Sequence, residues 1–109
     1  MALTTSVVSH HQVRNESIGR VVTDAGAAAD TTFVVGYAPR VVRFINLTDG
    51  NQLEWFEGMA PDSAIQTTAA GAASVITTNG ITANATLNGF SVKAVSIPAS
   101  KTFTYQTIG

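Results

Sequence analysis

An all-β fold follows from three features of this 109-residue chain. β-Branched residues dominate, with 15 Thr and 12 Val, and such side chains suit a pleated, half-buried surface. Short apolar-alternating segments recur at close spacing. Between them stand turn dipeptides, Asp49-Gly50, Asn79-Gly80 and Asn88-Gly89, and Asx-Gly flanked by alternating residues is a strong hairpin signal. The expected architecture is a compact β-sandwich or small barrel of seven to eight short antiparallel strands, preceded by an extended N-terminal arm.

The chain divides into an arm, residues 1–17, and one β domain, residues 18–109. The arm has no sustained period and holds both histidines, His10 and His11. From Ile18, IGRVVT reads as the first strand, closed by the small-residue loop DAGAAAD. TTFVVGY follows, and Pro39, which cannot donate to a ladder, separates it from RVVRFINL. Asp49-Gly50 then turns the chain into QLEWFEGM. Ala60 to Ala73 carries the one helix-start signal: Pro61 suits a first helical position and Asp62 the first turn, so a loop or one or two helical turns are expected. Beyond it, ASVITT, ITANATL and FSVKAVSI read as three strands joined by the two Asn-Gly turns. KTFTYQTI closes the fold with Phe103 and Tyr105 on one face.

Composition excludes several kinds of function. With six basic and seven acidic residues, the chain lacks the counterion-releasing patch that nucleic-acid binding requires. It has no cysteine, hence neither disulfides nor thiolate chemistry. No apolar run reaches the roughly 18 residues of a membrane span, and the N-terminus lacks the charge and apolar pattern of a signal peptide. Glu54 and Glu57 sit three apart on an expected strand and so face opposite sides, which argues against a catalytic carboxylate pair. His10 and His11 point apart on an extended arm and have no clustered ligands beside them. Neither an enzymatic site nor a cofactor or metal site is expected.

Charge is distributed unevenly. After Gly58 only Asp62, Lys93 and Lys101 are charged. Strand surfaces normally carry Lys, Arg and Glu for solubility and edge protection. Faces of Thr, Ser, Asn and Ala are easier to desolvate, because their groups re-pair within a contact and no ion is stripped of water. The neutral strands 74–87 and 90–97 are therefore the expected self-association face, with Val75, Thr77, Ile81, Thr82, Asn84 and Thr86 as candidate residues. The expected partner contacts are the charged and aromatic residues before them: His10, His11 and Arg14 on the arm, then Arg40, Arg43, Glu54, Trp55 and Glu57. Trp55 and Phe56 are adjacent and point to opposite faces, so one of them is a candidate contact anchor.

The segments Thr32–Asp49 (TFVVGYAPRVVRFINLTD), Glu54–Met59 (EWFEGM), Gly89-Phe90 and Lys101–Tyr105 (KTFTY) resemble those of small virion structural proteins of tailed bacteriophages. Within that group the resemblance points to capsid decoration, or cement, proteins, with tail-tip or fibre accessory proteins as the competing class. It covers the chain from Thr23 to the C-terminus and leaves the arm unmatched. It implies a virion protein made in the host cytoplasm that binds the major capsid protein on the outer head surface and bridges capsid subunits. It also implies assembly as a homotrimer, with no cofactor, nucleic acid or membrane involved. A tail accessory protein would instead bind a receptor or another tail protein, with Trp55 or Tyr105 as a platform if the ligand is carbohydrate. Deleting residues 1 to 14 is expected to leave the β domain's circular dichroism unchanged and to weaken attachment to empty heads; unchanged attachment would remove the arm from the contact.

Overall fold

The computed structural model describes residues 15–109, and within them eight strands form a single antiparallel sheet. In chain order these are β1 (Glu16–Val22), β2 (Thr31–Val34), β3 (Val41–Asn46), β4 (Gln52–Phe56), β5 (Ser63–Thr67), β6 (Ala73–Asn84), β7 (Gly89–Val92) and β8 (Thr102–Ile108). A 3-10 turn at Ala94–Ser96 is the one helical element among the described residues. No helix there is long and apolar enough to cross a membrane. The strands lie in the order β1-β8-β3-β4-β5-β6-β7-β2, which leaves β1 and β2 as the two edges.

The sheet curls into a half-barrel, which realises the barrel rather than the sandwich form of the expected fold. The curl is visible in ring contacts between strands far apart in the sheet order. Phe33 on the β2 edge lies 5.8 Å from Phe44 on β3 and 5.4 Å from Tyr105 on β8. Phe90 stacks on Phe33 at 5.1 Å, and Phe44 stacks on Phe103 at 5.0 Å. These rings line the concave face with Val42, Leu53, Trp55, Ala64, Ile81, Val92 and Ile97. One-sided alternation explains the pattern: Val42, Phe44 and Asn46 of β3 point inward, while Arg43 points out.

Close backbone approach is built in at Gly89. A Cβ there would collide with the Phe33 carbonyl oxygen, across the β2–β7 register that pairs Val34 with Gly89. The β3–β4 hairpin turns as expected. Gly50 takes φ +84, and the buried Asn46 side chain accepts from the Thr48 and Asp49 amides at 3.0 and 2.9 Å.

Four expectations are corrected. Residues 63–67 form β5, paired with β4 and β6, where a loop or helical turn was expected. Pro61 and Asp62 belong to a turn, with Asp62 at φ +65, and the sheet's demand for a strand between β4 and β6 overrides the local helix-start signal. Asn79-Gly80 does not reverse the chain. β6 runs through it, because Ala64 pairs with Ile76 while Ser63 pairs with Ile81, and the intervening Thr77–Gly80 bulge out between them. Asn79 still takes the left-handed conformation its type favours, at φ +59. β1 starts at Glu16, inside the expected arm. Finally, a hairpin joins β6 to β7, with Asn88 at φ +54, but its loop is residues 85–88 and Gly89 already belongs to β7, so the strand expected to run to Leu87 ends at Asn84.

Phe90 is wholly buried and touches the rings of Phe33, Phe44 and Tyr105. Phe90→Ala is expected to cost about 3–5 kcal/mol, read as a lower urea midpoint in equilibrium unfolding. A loss below about 1 kcal/mol would show that the curl does not depend on this cluster.

Candidate functional site

The aromatic core fills part of the concave face and leaves there a cavity of about 280 Å³ lined by Phe44, Asn46, Leu53, Gln66, Ile76 and Pro98; the outward face of the sheet is the larger continuous surface. Pairing registers align its side chains in rows across the strands. One row runs Ile18, Gln106, Arg43, Glu54, Ile65, Val75, from β1 through β8, β3, β4 and β5 to β6. The next runs Arg20, Thr104, Ile45, Gln52, Thr67, Ala73. A third, shorter row is Glu16, Ile108, Val41, Phe56. The face is thus mostly aliphatic, hydroxyl and amide, and its ends are strongly exposed: Ile18 is 71% and Val75 67% accessible.

Its charges are few: Arg43 and Glu54 lie near the centre, Glu16 and Arg20 on the β1 edge, and Arg40 and Glu57 at one corner. Arg43 and Glu54 stand directly opposite one another yet form no ion pair. Arg40 and Glu57 do pair: Arg40 Nε donates to Glu57 Oε2 at 2.7 Å, beside the backbone bond from Glu57 N–H to the Arg40 carbonyl. Both side chains are more than half exposed, so the pair's stabilisation is small, about 0–1 kcal/mol. The pair rims a shallow depression of about 310 Å³ whose apolar floor is Val41, Phe56 and Ile108.

The eight expected partner contacts meet different fates. Arg40 and Glu57 come together, and Arg43 and Glu54 face each other on the outward face. His10, His11 and Arg14 lie outside the described residues. Trp55 is corrected: it is 7% exposed, in the core, with its indole N–H lacking a hydrogen-bond partner. Leu53 and Trp55 share the inward parity of β4, which turns Phe56 outward. Phe56 is the aromatic on the contact face, and the alternation of Leu53 with Trp55 is the signal that picks it out. Tyr105 packs inside against Phe33 and Phe90, so neither ring offers a carbohydrate platform.

The six expected self-association residues do not share one face. Val75 faces outward, but Ile81 is wholly buried and belongs to the core. Ile76 and Ile81, an odd number of residues apart, both pack inward, so the bulge at Thr77–Gly80 reverses the strand's parity. Thr77 sits in that bulge. Thr82 accepts from the Asp62 amide at 3.1 Å, Asn84 caps the following turn by accepting from Leu87 N–H at 3.0 Å, and Thr86 lies in the turn itself.

No group of three or more His, Cys, Asp or Glu side chains converges on a metal site among the described residues. No family model, curated protein or solved structure matches this chain.

Asp49 anchors the turn that sets the β3–β4 register. Lys101, whose ammonium bonds Asp49 Oδ1 at 3.1 Å, holds this carboxyl below the usual carboxylate range; the Asn46 amide helps, and partial loss of hydration opposes. A depressed folded value gives stability that is present above the unfolded pKa and lost as pH falls through the folded one. Lys101→Met is therefore expected to raise the Asp49 pKa in a carboxyl NMR titration and to flatten the stability loss below about pH 4. An unchanged titration would remove Lys101 as the cause.

Proposed function

We propose that this chain is a virion structural protein of a tailed phage, a capsid decoration protein that seats its outward sheet face on the major capsid protein and bridges neighbouring shell subunits. The observation that carries this reading is the row Ile18–Gln106–Arg43–Glu54–Ile65–Val75, which crosses six strands with exposed aliphatics at its ends. Ile18 and Val75, both strongly exposed, flank the polar middle of the row, and large aliphatics left open on a sheet face suit a protein contact. Arg43 and Glu54, unpaired with each other, supply charges that a partner can answer, which fixes orientation more than affinity. Phe56 in its depression is the candidate anchor. The resemblance in Thr32–Asp49 and Glu54–Met59 falls on β2, β3 and β4, the latter two of which contribute the centre of this face.

A cement protein works by repetition. Each contact is weak, but a molecule touching two fixed subunits makes its second contact at high effective concentration, so many copies resist the outward pressure of packaged DNA. The role is one of binding rather than catalysis.

Gel densitometry of purified virions is expected to give a copy number in the range of the capsid protein, located on heads. A handful of copies found only with tails would replace this reading with a tail or fibre accessory role. Phe56→Asp is expected to weaken attachment to heads at least tenfold, about 1.4 kcal/mol, while leaving the unfolding transition in place.

A further inference from the structure

We infer that the β1 edge pairs with the β1 edge of a second copy of this chain, antiparallel about a two-fold axis at Ile18, to extend the sheet across a dimer. The main-chain geometry comes first. Gly109 N–H donates to the Asn15 carbonyl at 2.8 Å and Thr23 N–H to the Lys101 carbonyl at 2.9 Å. In an antiparallel ladder bonded pairs alternate with non-bonded ones. The odd-numbered residues of β1 therefore bond to β8, and Ile18, Arg20 and Val22 aim their N–H and C=O groups at an edge that is open among the described residues. This edge is seven residues long, with no proline, lysine or bulge to blunt it, and natural sheets guard such edges unless they are used. The other edge, β2, has four residues.

Side chains select both the occupant and the register. With Ile18 on the axis, Ile18 meets Ile18, and Arg20 stands opposite Glu16 of the second copy at both ends of the seam. The bonded partners are then all even-numbered residues, as the edge requires. Placing the axis at Gly19 also satisfies the backbone, but it sets Arg20 against Ile18 and Glu16 against Val22, which wastes both charges. Glu16 already makes a contact within its own chain, and a carboxylate's two oxygens accept more than one donor. On the inner side of the seam Ser17 meets Gly19. A Cβ at Gly19 would collide with the Tyr105 ring, so the small pair keeps that side clear. On the outer side Ile18, 71% exposed in the single chain, is covered by its symmetry mate.

This pairing shares Ile18 with the face proposed to meet the capsid and differs from the three-fold assembly implied by the resemblance, so it is tested without heads. Sedimentation equilibrium of the full chain, without heads, is expected to give twice the 11.3 kDa chain mass. Arg20→Glu should weaken association at least tenfold with unchanged circular dichroism, and adding Glu16→Arg should restore it. Ile18→Cys, in a chain with no other cysteine, should form an interchain disulfide under mild oxidation much faster than Val95→Cys, a position 74% exposed elsewhere. A monomer at all concentrations, a trimer, equal weakening in the single and double variants, or equal crosslinking at the two positions would each overturn the inference.

Discussion

Five rings, Phe33, Phe44, Phe90, Phe103 and Tyr105, hold the two ends of one sheet together, and the rest of the molecule follows from that contact. Strand order alone would allow an open, twisted sheet with two wet faces. Because Phe33 on the last strand reaches Phe44 and Tyr105 near the first, the sheet bends around its apolar side and buries it. Tilted and offset ring pairs at 5.0–6.4 Å suit the quadrupole of each ring and add to the area they bury. A chain of this size without disulfides has few other ways to close a core.

Closing the sheet on one side assigns the other side to the surroundings. The outward face is built from three in-register rows, and most of its side chains are of a kind that lose little on leaving water. The four charges on and beside β3 and β4 are arranged in two different ways. Arg40 and Glu57 satisfy each other, so that corner enters a contact already neutralised. Arg43 and Glu54 are juxtaposed but unpaired, and they can select a partner's orientation. A face of mostly aliphatic, hydroxyl and amide side chains, with a few charges to fix orientation, suits lasting contact with another protein surface, the requirement of a shell-binding protein.

Much of the strand plan was legible in the chain, for identifiable reasons. Alternation marked β3, β4 and β8 because each has one dry and one wet side, and Asp49-Gly50 turns where its dipeptide suggests, while the β6–β7 loop ends at Asn88. Asn79-Gly80 shows the limit of such signals. Its left-handed Asn serves equally for a hairpin or for an excursion within a continuing strand, and only the pairing of β5 with both halves of β6 selects the latter. That choice reverses the strand's parity, which is why Ile81 lies in the core and the expected self-association set does not form a face. β5 itself was hidden because SAIQT is short and follows Pro61-Asp62, a start signal for helix that the neighbouring strands override. Choosing between Trp55 and Phe56 needed only the inward parity of Leu53.

The central claim is that the outward face, and Phe56, Ile65 and Val75 in particular, is covered by protein in the working state. Carbene footprinting with mass spectrometry, comparing the free chain with chain bound to phage heads, measures that coverage directly. Labelling of these three residues should fall sharply on binding, while Leu87 and Val95, exposed away from the face, keep theirs. Undiminished labelling of Phe56, Ile65 and Val75 on head-bound protein would contradict the account.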